Sequence, residues 1–341
     1  MKAMVLKKLT NLEENKAPLE LVDLPVPIPR EHEVLLKVSA CGVCHTELDE
    51  IEGRTAPSHL PVVLGHQVIG RVEAAGSKVS AIKIGARMGV AWIFSACGEC
   101  KFCLAGHENL CPDFQATGRD VNGGYAQYMT VAENFACFIP AAFTDVQAAP
   151  LLCAGAIGYR SLRLTGIKDG QRLGLTGFGA SGHLVLKMAK YQYPHTEVYV
   201  FARSAEERAF ARELGAVWAG DTTERSPHKL DSIIDTTPAW RPVIEALANL
   251  EPGGRLVINA IRKEGDKSSL LDLDYPAHLW LEKEIKSVAN ITRRDVNDFL
   301  KLAADMQLKP EVQVFALEQA NAALIELKAG KIRGAKVLKI D

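Results

Sequence analysis

Short apolar runs broken by glycine and proline dominate the part of the chain before Pro150. The stretches EVLLKVSAC and QVIGRVEAAG are rich in β-branched residues and end in small turn-forming residues, which predicts β-strands. The stretch PVPIPREHE predicts a connector, because proline is not tolerated in a helix interior. The pattern therefore predicts a β-rich first domain.

A different pattern follows Pro150. The stretch QRLGLTGFGASGHLVLKMAKYQ predicts a strand, a glycine-rich turn and an amphipathic helix, and EVYVFA predicts the next strand. SAEERAFARELG predicts a helix with Ser204 as its N-cap, Glu207 completing a capping box and Gly215 ending it. LDSIIDTT, GGRLVINA and EIKSVAN predict further strands. Strands that alternate with helices predict a parallel sheet covered on both faces.

Length and composition allow two hydrophobic cores. The chain has 341 residues, 48% of them hydrophobic, and a formal net charge of -1 with acidic and basic residues interspersed. The chain has no basic tract that would indicate nucleic-acid binding, and no apolar run is long enough to cross a bilayer. The start, MKAMVLKKL, is too short and too charged for a signal peptide. We therefore expect a cytoplasmic protein that binds neither nucleic acid nor a membrane.

Half of the eight cysteines fall in one short stretch, SACGECKFCLAGHENLC. One tetrahedral metal ion explains their spacing most simply, and an all-thiolate ligand set selects zinc or iron. Because protein atoms fill every coordination position, such a metal can hold a fold but cannot bind a substrate. Clustered cysteines in a chain of this size favour metal thiolates over disulfides. The predicted ligands of this structural site are Cys97, Cys100, Cys103 and Cys111.

A second set of metal-ligand residues lies in three separated segments. Cys44 occurs in GVCHTEL, His66 in VLGHQVIG and Cys153 in APLLCAG. Cysteine and histidine ligands that leave one position free are typical of a catalytic zinc. Core packing is the alternative for Cys153, because cysteine often behaves as a small buried hydrophobe. Taken alone, these residues leave both interpretations open.

The glycines Gly177, Gly179 and Gly182 form a G-x-G-x-x-G turn between a predicted strand and a predicted helix. The first allows the tight turn, the second lets the backbone approach a pyrophosphate, and the third lets helix and strand pack closely. The helix start, at Ala180, then offers free N–H groups to the phosphates. In this context the motif predicts a dinucleotide site.

The end of the second strand of this domain bears on the choice of cofactor. Sites specific for NAD usually carry an acidic residue there, which binds the ribose hydroxyls. This chain has Ala202, Arg203 and Ser204 instead. Arg203 could pair with a 2′-phosphate and Ser204 could donate a hydrogen bond to it, which favours NADP(H). The alternative is an Arg203 that is solvated or stacks on adenine, which would leave NAD(H) usable.

These motifs together resemble one protein family. GVCHTEL, GHQVIGRV, the four-cysteine stretch, GGYAQY and APLLCAG occur in the order and spacing of zinc-dependent alcohol dehydrogenases of the medium-chain dehydrogenase/reductase superfamily. The resemblance covers essentially the whole chain. It implies an α/β protein with a GroES-like catalytic domain, residues 1–153 and 290–341, and a doubly wound Rossmann cofactor domain, residues 154–289. It also places the C-terminal tail, with its strand, helix and strand, on the first domain.

The resemblance implies an oxidoreductase with two zinc ions per chain. It would transfer a hydride reversibly between a primary alcohol, or its aldehyde, and NADP(H) or NAD(H). A catalytic zinc held by Cys44, His66 and Cys153 would act as a Lewis acid on the substrate oxygen, and the four-cysteine site would hold a structural zinc. The resemblance also suggests a homodimer or homotetramer formed by strand pairing in the cofactor domain.

Further residues match family positions, and all of them except Glu47 also have a plainer alternative. Thr46 matches the hydroxyl that takes the proton from the alcohol, and Glu47 matches the acidic residue that orients the ligand histidine. Trp92 matches an aromatic residue that narrows the alcohol pocket in some members. His45 matches a basic residue near the cofactor pyrophosphate, and Arg333 is a further candidate for the same phosphates. The alternatives are helix capping for the threonine, core packing for the tryptophan and surface positions for the basic residues.

Two positions depart from the family pattern. The ligand histidine is usually followed by glutamate but is followed here by Gln67, whose neutral amide can coordinate only weakly or hydrogen-bond. We therefore expect zinc retention or ligand exchange to differ. The proton relay of many members ends at a histidine where this chain has Asp49, whose ordinary pKa is far lower. The relay could end at Asp49, at solvent or at ribose hydroxyls.

Two alternative functions are compatible with the scaffold. A zinc-free enone or quinone reductase of the same superfamily would not need the set Cys44, His66 and Cys153, so the presence of all three argues against it. A non-catalytic nucleotide-binding or redox-sensing protein would bind cofactor without turnover, and Gln67 and Asp49 leave room for that function.

Overall fold

Two units make up the chain in the computed structural model, which describes residues 1–263, 265–330 and 334–341. The first unit combines Met1–Ala156 with Ile291–Asp341, and the second is Ile157–Asn290. Both ends of the chain therefore contribute to the first unit, while the second is continuous. None of the described helices combines the length and the apolar character needed to cross a membrane.

The regular elements are numbered along the chain. The strands are β1 (Lys2–Leu6), β2 (Leu19–Asp23), β3 (Glu33–Val43), β4 (Val62–Val63), β5 (Val68–Ala75), β6 (Arg87–Val90), β7 (Ile93–Ser95), β8 (Gln115–Ala116), β9 (Tyr128–Ala132), β10 (Ala136–Phe138), β11 (Arg172–Thr176), β12 (Glu197–Phe201), β13 (Trp218–Gly220), β14 (Leu230–Asp235), β15 (Leu250–Ile258), β16 (Glu284–Ser287), β17 (Val312–Ala316) and β18 (Ala335–Lys339). The helices are α1 (His45–Ile51), α2 (Lys101–Leu104), α3 (Asp145–Ala148), α4 (Ala154–Thr165), α5 (Ala180–Gln192), α6 (Ala205–Glu213), α7 (Arg241–Leu247), α8 (Tyr275–His278), α9 (Arg293–Asp305) and α10 (Ala320–Lys328). Short 3-10 helices cover Glu108–Leu110, Glu133–Phe135, Ala149–Leu152, Lys267–Asp272 and Leu317–Gln319.

Strand β3 organises the larger sheet of the first unit, whose strand order is β10-β6-β5-β3-β18-β17. On one side β3 pairs antiparallel with β5. On the other side its first half pairs with β9, and its second half pairs with the C-terminal strand β18, which sets Leu338 opposite Cys41. The C-terminal strand β18 is thus hydrogen-bonded to a strand from the first part of the chain. Because β3 ends at Val43, this pairing also fixes the position of Cys44.

A buried apolar core fills the first unit. It draws on β1, β3 and β5 and on the loop before β9, and Met4, Leu6, Leu36 and Tyr125 are among its largest fully buried side chains. The β-rich character that was predicted for this part of the chain is confirmed.

The second unit contains a wholly parallel sheet in the order β13-β12-β11-β14-β15-β16. Successive strands extend the sheet first to one side of β11 and then to the other. In open α/β sheets, ligands bind beyond the carboxyl ends of the strands where the order reverses, here β11 and β14. The predicted doubly wound fold of this part of the chain is confirmed.

Helix α6 begins after Ser204 and is followed by Gly215, as predicted, and of the predicted capping box the half formed by the Ser204 hydroxyl is present. The Ser204 hydroxyl accepts the backbone N–H groups of Glu206 and Glu207, so this residue is the N-cap. Gly215, with φ +95°, follows the last turn and lets the chain reverse in the left-handed region.

Helix α9, which is part of the first unit, buries one apolar face and has a fully buried N-terminal cap. Val296, Phe299, Leu300 and Ala303 are buried with the spacing of one helical face. The Thr292 hydroxyl accepts the N–H of Asp295 at 3.1 Å, and the Asp295 carboxylate accepts the N–H of Thr292 at 3.0 Å.

Substituting Thr292→Ala should lower the free energy of unfolding by about 1–2 kcal/mol, because a buried N–H loses its acceptor. Denaturant unfolding followed by circular dichroism measures the change. Thr292→Ser retains the hydroxyl and should stay close to the wild type. Equal losses for both variants would show that the methyl group, and not the cap, is responsible.

Candidate functional site

The first metal-ligand candidate lies where β3 passes into α1. Cys44 is the N-cap of α1, and its backbone N–H donates to Glu47 Oε2 at 2.7 Å. The other carboxylate oxygen, Oε1, lies 2.7 Å from His66 Nδ1, at ion-pair distance but without the alignment of a straight hydrogen bond. Both side chains are completely buried. Glu47 therefore joins the start of α1 to the loop before β5.

Three candidate ligand atoms converge at this point. His66 Nε2 lies 3.2 Å from Cys153 Sγ, which lies 4.0 Å from Cys44 Sγ, and all three atoms lie within 4.8 Å of one another. Cys153 reaches the site from the turn between a 3-10 helix and α4. The structure thus brings together residues that are far apart in sequence.

The arrangement fits a zinc ion. Bonds of about 2.3 Å to sulfur and about 2.0 Å to nitrogen in a tetrahedron place the ligand atoms roughly 3.5–3.8 Å apart. The distances of 3.2 Å and 4.0 Å bracket that range. A carboxylate beside Nδ1 holds the proton there and leaves Nε2 free to bind a metal. Two cysteines and one histidine leave one tetrahedral position for a small molecule.

The electrostatics of the three residues also suit a cation. The hydrogen bond from the Cys153 thiol holds the pKa of Cys44 well below its ordinary value. Burial raises the pKa of Glu47 above its ordinary value, although the neighbouring His66 opposes that shift. A buried thiolate and a buried carboxylate are both stabilised by positive charge, which a divalent metal would supply.

Two of the predicted reaction-centre residues lie close by. Thr46 is buried on the first turn of α1, and its hydroxyl oxygen lies 3.6 Å from Cys44 Sγ. Gln67 is buried and folds against Gly42, where a Cβ would lie 2.6 Å from Gln67 Oε1. The absence of a side chain at position 42 thus makes the space that the glutamine occupies.

Trp92 is largely buried, as both of its predicted interpretations require. Its ring lies 4.9 Å from that of Phe114, and the Arg119 guanidinium lies 5.2 Å from the ring centre. The indole N–H is buried without a hydrogen-bond partner among the described residues.

Asp49 and His45 occupy contrasting places on α1. Asp49 is buried, and its Oδ1 accepts both Nε and Nη2 of Arg54, at 2.8 Å and 2.7 Å. That carboxylate is therefore already bound to a guanidinium. His45 is exposed at the first position of the helix. The proton-relay role of Asp49 and the phosphate-binding role of His45 stay predictions.

The four-cysteine stretch forms a second, separate cluster. Cys97 Sγ lies 3.9 Å from Cys103 Sγ and 3.5 Å from Cys111 Sγ, and the four sulfur atoms lie within 4.8 Å of one another. Backbone N–H groups of Cys97 and Cys100 donate to sulfur atoms of the cluster, at 3.4 Å and 3.3 Å. A backbone hydrogen bond from Cys103 lowers the pKa of Cys100 to about 7. Such bonds favour thiolates, and the donor set fits zinc.

In the second unit, the glycine turn has the backbone that its motif predicts. Gly177 follows β11 with φ +81°. A Cβ at Gly182 would lie 2.8 Å from the carbonyl oxygen of Gly177, so only glycine lets the helix lie this close. A Cβ at Gly179 would meet nothing within 4 Å, which leaves its backbone open to a ligand. Ala180 then begins α5, a helix of 13 residues.

Besides Arg203, a second arginine contacts the loop after β12. Arg203 is exposed directly after the strand, and Ser204 caps α6. Arg208 was not predicted, yet its guanidinium donates to the carbonyl oxygens of Ala202 and Arg203, both at 2.7 Å. A signal for it existed in the sequence, since it lies four residues after the capping serine. Arg333 lies outside the described residues.

Known proteins resemble this chain along nearly its whole length. A family model described as the alcohol dehydrogenase GroES-like domain matches residues 30–141. A protein of Mycobacterium tuberculosis (strain CDC 1551 / Oshkosh) described as "Probable alcohol dehydrogenase AdhA" is 42% identical over 328 residues, which are 95% of this chain and 93% of that protein. The chain belongs to the zinc-type alcohol dehydrogenases of the medium-chain dehydrogenase/reductase superfamily.

Other members of the family support the same assignment. An alcohol dehydrogenase of Geobacillus stearothermophilus is 32% identical over 344 residues, which are 98% of this chain and 99% of that protein. The structure of a cinnamyl alcohol dehydrogenase from Sorghum bicolor has a TM-score of 0.84 at 26% identity and covers 99% of this chain and 97% of its own. The family resemblance that the motifs predicted is thereby confirmed.

One charged residue of this family member lies at the site without having been predicted. Glu50 is on α1, three residues after Glu47, and is completely buried. Positions three apart share a helix face, so the sequence did contain a signal for it.

Proposed function

We propose that this chain is a zinc-dependent alcohol dehydrogenase that also reduces aldehydes. The reaction is reversible hydride transfer between a primary alcohol or its aldehyde and NADP(H), with NAD(H) as the alternative cofactor. The observation that carries the proposal is the convergence of Cys44, His66 and Cys153 on one point with a fourth position left for a ligand. A zinc-free reductase of the same superfamily would have no use for that set.

The residues around this position have distinct roles in the proposed reaction. Cys44, His66 and Cys153 hold the zinc, which when bound supplies Lewis acidity toward the substrate oxygen. Glu47 keeps the proton of the imidazole on Nδ1, so that Nε2 remains a ligand. The Thr46 hydroxyl oxygen lies 3.6 Å from Cys44 Sγ. In the proposed reaction this hydroxyl accepts the proton of the alcohol and passes it on.

The continuation of the proton path follows from the partners of Asp49. Its Oδ1 already accepts two N–H groups of Arg54, so the carboxylate is bound to a guanidinium and not directed toward Thr46 in this proposal. This supports a path from Thr46 to solvent or to ribose hydroxyls instead of to Asp49. Trp92 borders the alcohol pocket, and its buried ring excludes water there.

The cofactor is bound mainly by backbone in this proposal. Gly177, Gly179 and Gly182 admit the pyrophosphate, and the N-terminus of α5 at Ala180 donates N–H groups to it. His45 binds the same phosphates. Arg203 and Ser204 bind the 2′-phosphate of NADP(H). The guanidinium of Arg208 holds this part of the backbone by donating to the carbonyl oxygens of Ala202 and Arg203.

The four-cysteine cluster holds the second, structural zinc of the proposal. Its sulfur atoms are close enough to share one ion, and no position remains for a substrate. None of the eight cysteines forms a disulfide, which supports a reducing compartment such as the cytoplasm in this proposal.

The two cysteine sites can be separated by a matched pair of variants. Cys44→Ser should lower aldehyde reduction by about a thousandfold or more, because the Lewis acid is lost, while the melting temperature changes little. Cys103→Ser should instead lower the melting temperature by roughly 5 °C or more. Metal content per chain should fall from two to one in both variants. Full activity of Cys44→Ser with unchanged metal content would refute the catalytic-zinc proposal.

The cofactor assignment is tested with Arg203→Ala. The variant should lose about 2 kcal/mol of NADPH binding through the missing charge-assisted hydrogen bonds, or about a thirtyfold rise in Kd, with little effect on NADH. Fluorescence titration with both cofactors measures the difference. A matching loss for NADH would mean that Arg203 does not bind the 2′-phosphate.

We further propose that the protein is at least a homodimer through the edge of its parallel sheet. Strand β16 ends that sheet, and all four of its residues are exposed. Exposed apolar side chains lie in the same unit shortly before it, namely Leu271, Tyr275, Trp280 and Leu281. An exposed edge strand readily pairs with another chain, and a two-fold axis would join two such edges.

Leu271→Asp should weaken this association at least tenfold, because a carboxylate would have to lose its water on dimerisation. Sedimentation velocity across a range of protein concentrations measures it. Leu104→Asp is the control, since that leucine is equally exposed but lies in the first unit. If Leu104→Asp dissociates the protein and Leu271→Asp does not, the proposed interface is wrong.

A further inference from the structure

Glu50 is a buried carboxylate that the proposed reaction does not use. Its side chain is completely inaccessible. Neither carboxylate oxygen has a hydrogen-bond partner among the residues that the structure describes. Buried charged groups are normally paired, because an unpaired carboxylate in an apolar environment is strongly unfavourable. The position of Glu50 therefore requires an explanation.

The residues that surround Glu50 electrostatically belong to the metal centre. It lies four residues after Thr46 and three after Glu47, on the face of α1 that is turned toward the ligands. Its carboxylate interacts with the charges of Glu47, His66 and Cys44. Burial, followed by the Glu47 charge, raises the pKa of Glu50 well above its ordinary value.

Among the residues that the structure describes, no positive group forms an ion pair with Glu50. Arg119 interacts with it electrostatically but donates to the Asp120 carboxylate at 2.6 Å and lies over the Trp92 ring. The guanidinium is therefore bound elsewhere. A divalent cation held by Cys44, His66 and Cys153 would be a positive charge inside the same buried region.

We propose that Glu50 is the charge-balancing carboxylate of the catalytic metal centre. It acts on the metal through the field and not as a ligand, so it is a positioning residue that increases the affinity for a divalent cation. The inference rests on the proposed zinc function of Cys44, His66 and Cys153. It explains how a centre that has the neutral amide of Gln67 next to its ligand histidine retains a second carboxylate besides Glu47.

The proposal predicts effects of opposite sign in the metal-free and metal-bound protein. Without the metal, burial of the Glu50 carboxyl group without a hydrogen-bond partner is unfavourable, and Glu50→Gln should raise the melting temperature by about 2 °C or more. With the metal, the same substitution removes an attraction and should weaken binding by about 10- to 100-fold. Substitution of a residue that only fills space would change the stability of the metal-free and the metal-bound protein in the same direction.

Cobalt(II) is a suitable probe, because its thiolate complexes absorb visible light and report the centre without any activity measurement. The full chain is depleted of its accessible metal with a chelator, counted for remaining zinc and titrated with cobalt. Wild type, Glu50→Gln and Glu50→Asp are compared, together with the melting temperatures of the depleted proteins. The aspartate retains the charge and should bind cobalt nearly as well as the wild type.

A matched control comes from the second unit. Glu245 is buried like Glu50, but it is paired with Arg225 at 2.8 Å and with Arg241 at 2.6 Å. Glu245→Gln should lower the melting temperature of both forms and leave cobalt affinity unchanged. The double variant Glu50→Gln with Gln67→Glu returns a carboxylate to the position that follows the ligand histidine and should recover most of the affinity.

The outcomes separate this inference from the proposed function. Weaker cobalt binding and a higher metal-free melting temperature for Glu50→Gln support the role of Glu50. Cobalt affinity within twofold of the wild type, or the same loss for Glu50→Asp as for Glu50→Gln, would overturn it while the proposed function stands. A wild-type protein that shows no cobalt–thiolate absorption at this centre would overturn both.

Discussion

The site in the first unit depends on one buried contact, between the Glu47 carboxylate and the His66 imidazole. Burial of either group without a polar partner would be unfavourable, and here each group is the partner of the other. Glu47 also accepts the N–H of Cys44, so the same carboxylate begins α1 and orients the histidine. Two of the three candidate ligands are thereby placed by one side chain, and the last, Cys153, is brought in by the turn before α4.

The two cysteine sites show how the same side chain serves two purposes. In the four-cysteine cluster, the ligands are close in sequence, and N–H groups of the same stretch support their sulfur atoms. In such a site, protein ligands fill every coordination position. In the other site, the candidate ligands come from distant segments, and the buried Glu47 carboxylate contacts His66 and the N–H of Cys44. A site assembled by the fold can leave one position open, which is what chemistry on a substrate requires.

In the proposed function, the second unit binds the cofactor mainly through its backbone. The reversal of strand order at β11 opens the end of the sheet, and the glycines that follow remove the side chains that would block it. Selectivity in that proposal rests with a few side chains at the end of β12, where Arg203 is exposed and Arg208 donates to backbone carbonyl oxygens of the loop. Backbone recognition suits the part of the cofactor that NAD and NADP share, and side chains suit the phosphate that distinguishes them.

The sequence by itself determined the family, the alternation of strands and helices in the second unit and the four-cysteine cluster. Each depends on residues close together in the chain, such as the glycine turn or the cap at Ser204, so local physics is enough. Only the tertiary structure decided the partners of buried charges. It placed Arg54 on Asp49 and left Glu50 without a hydrogen bond among the described residues. These outcomes depend on which segments meet and what water they exclude, and spacing along the chain does not specify that.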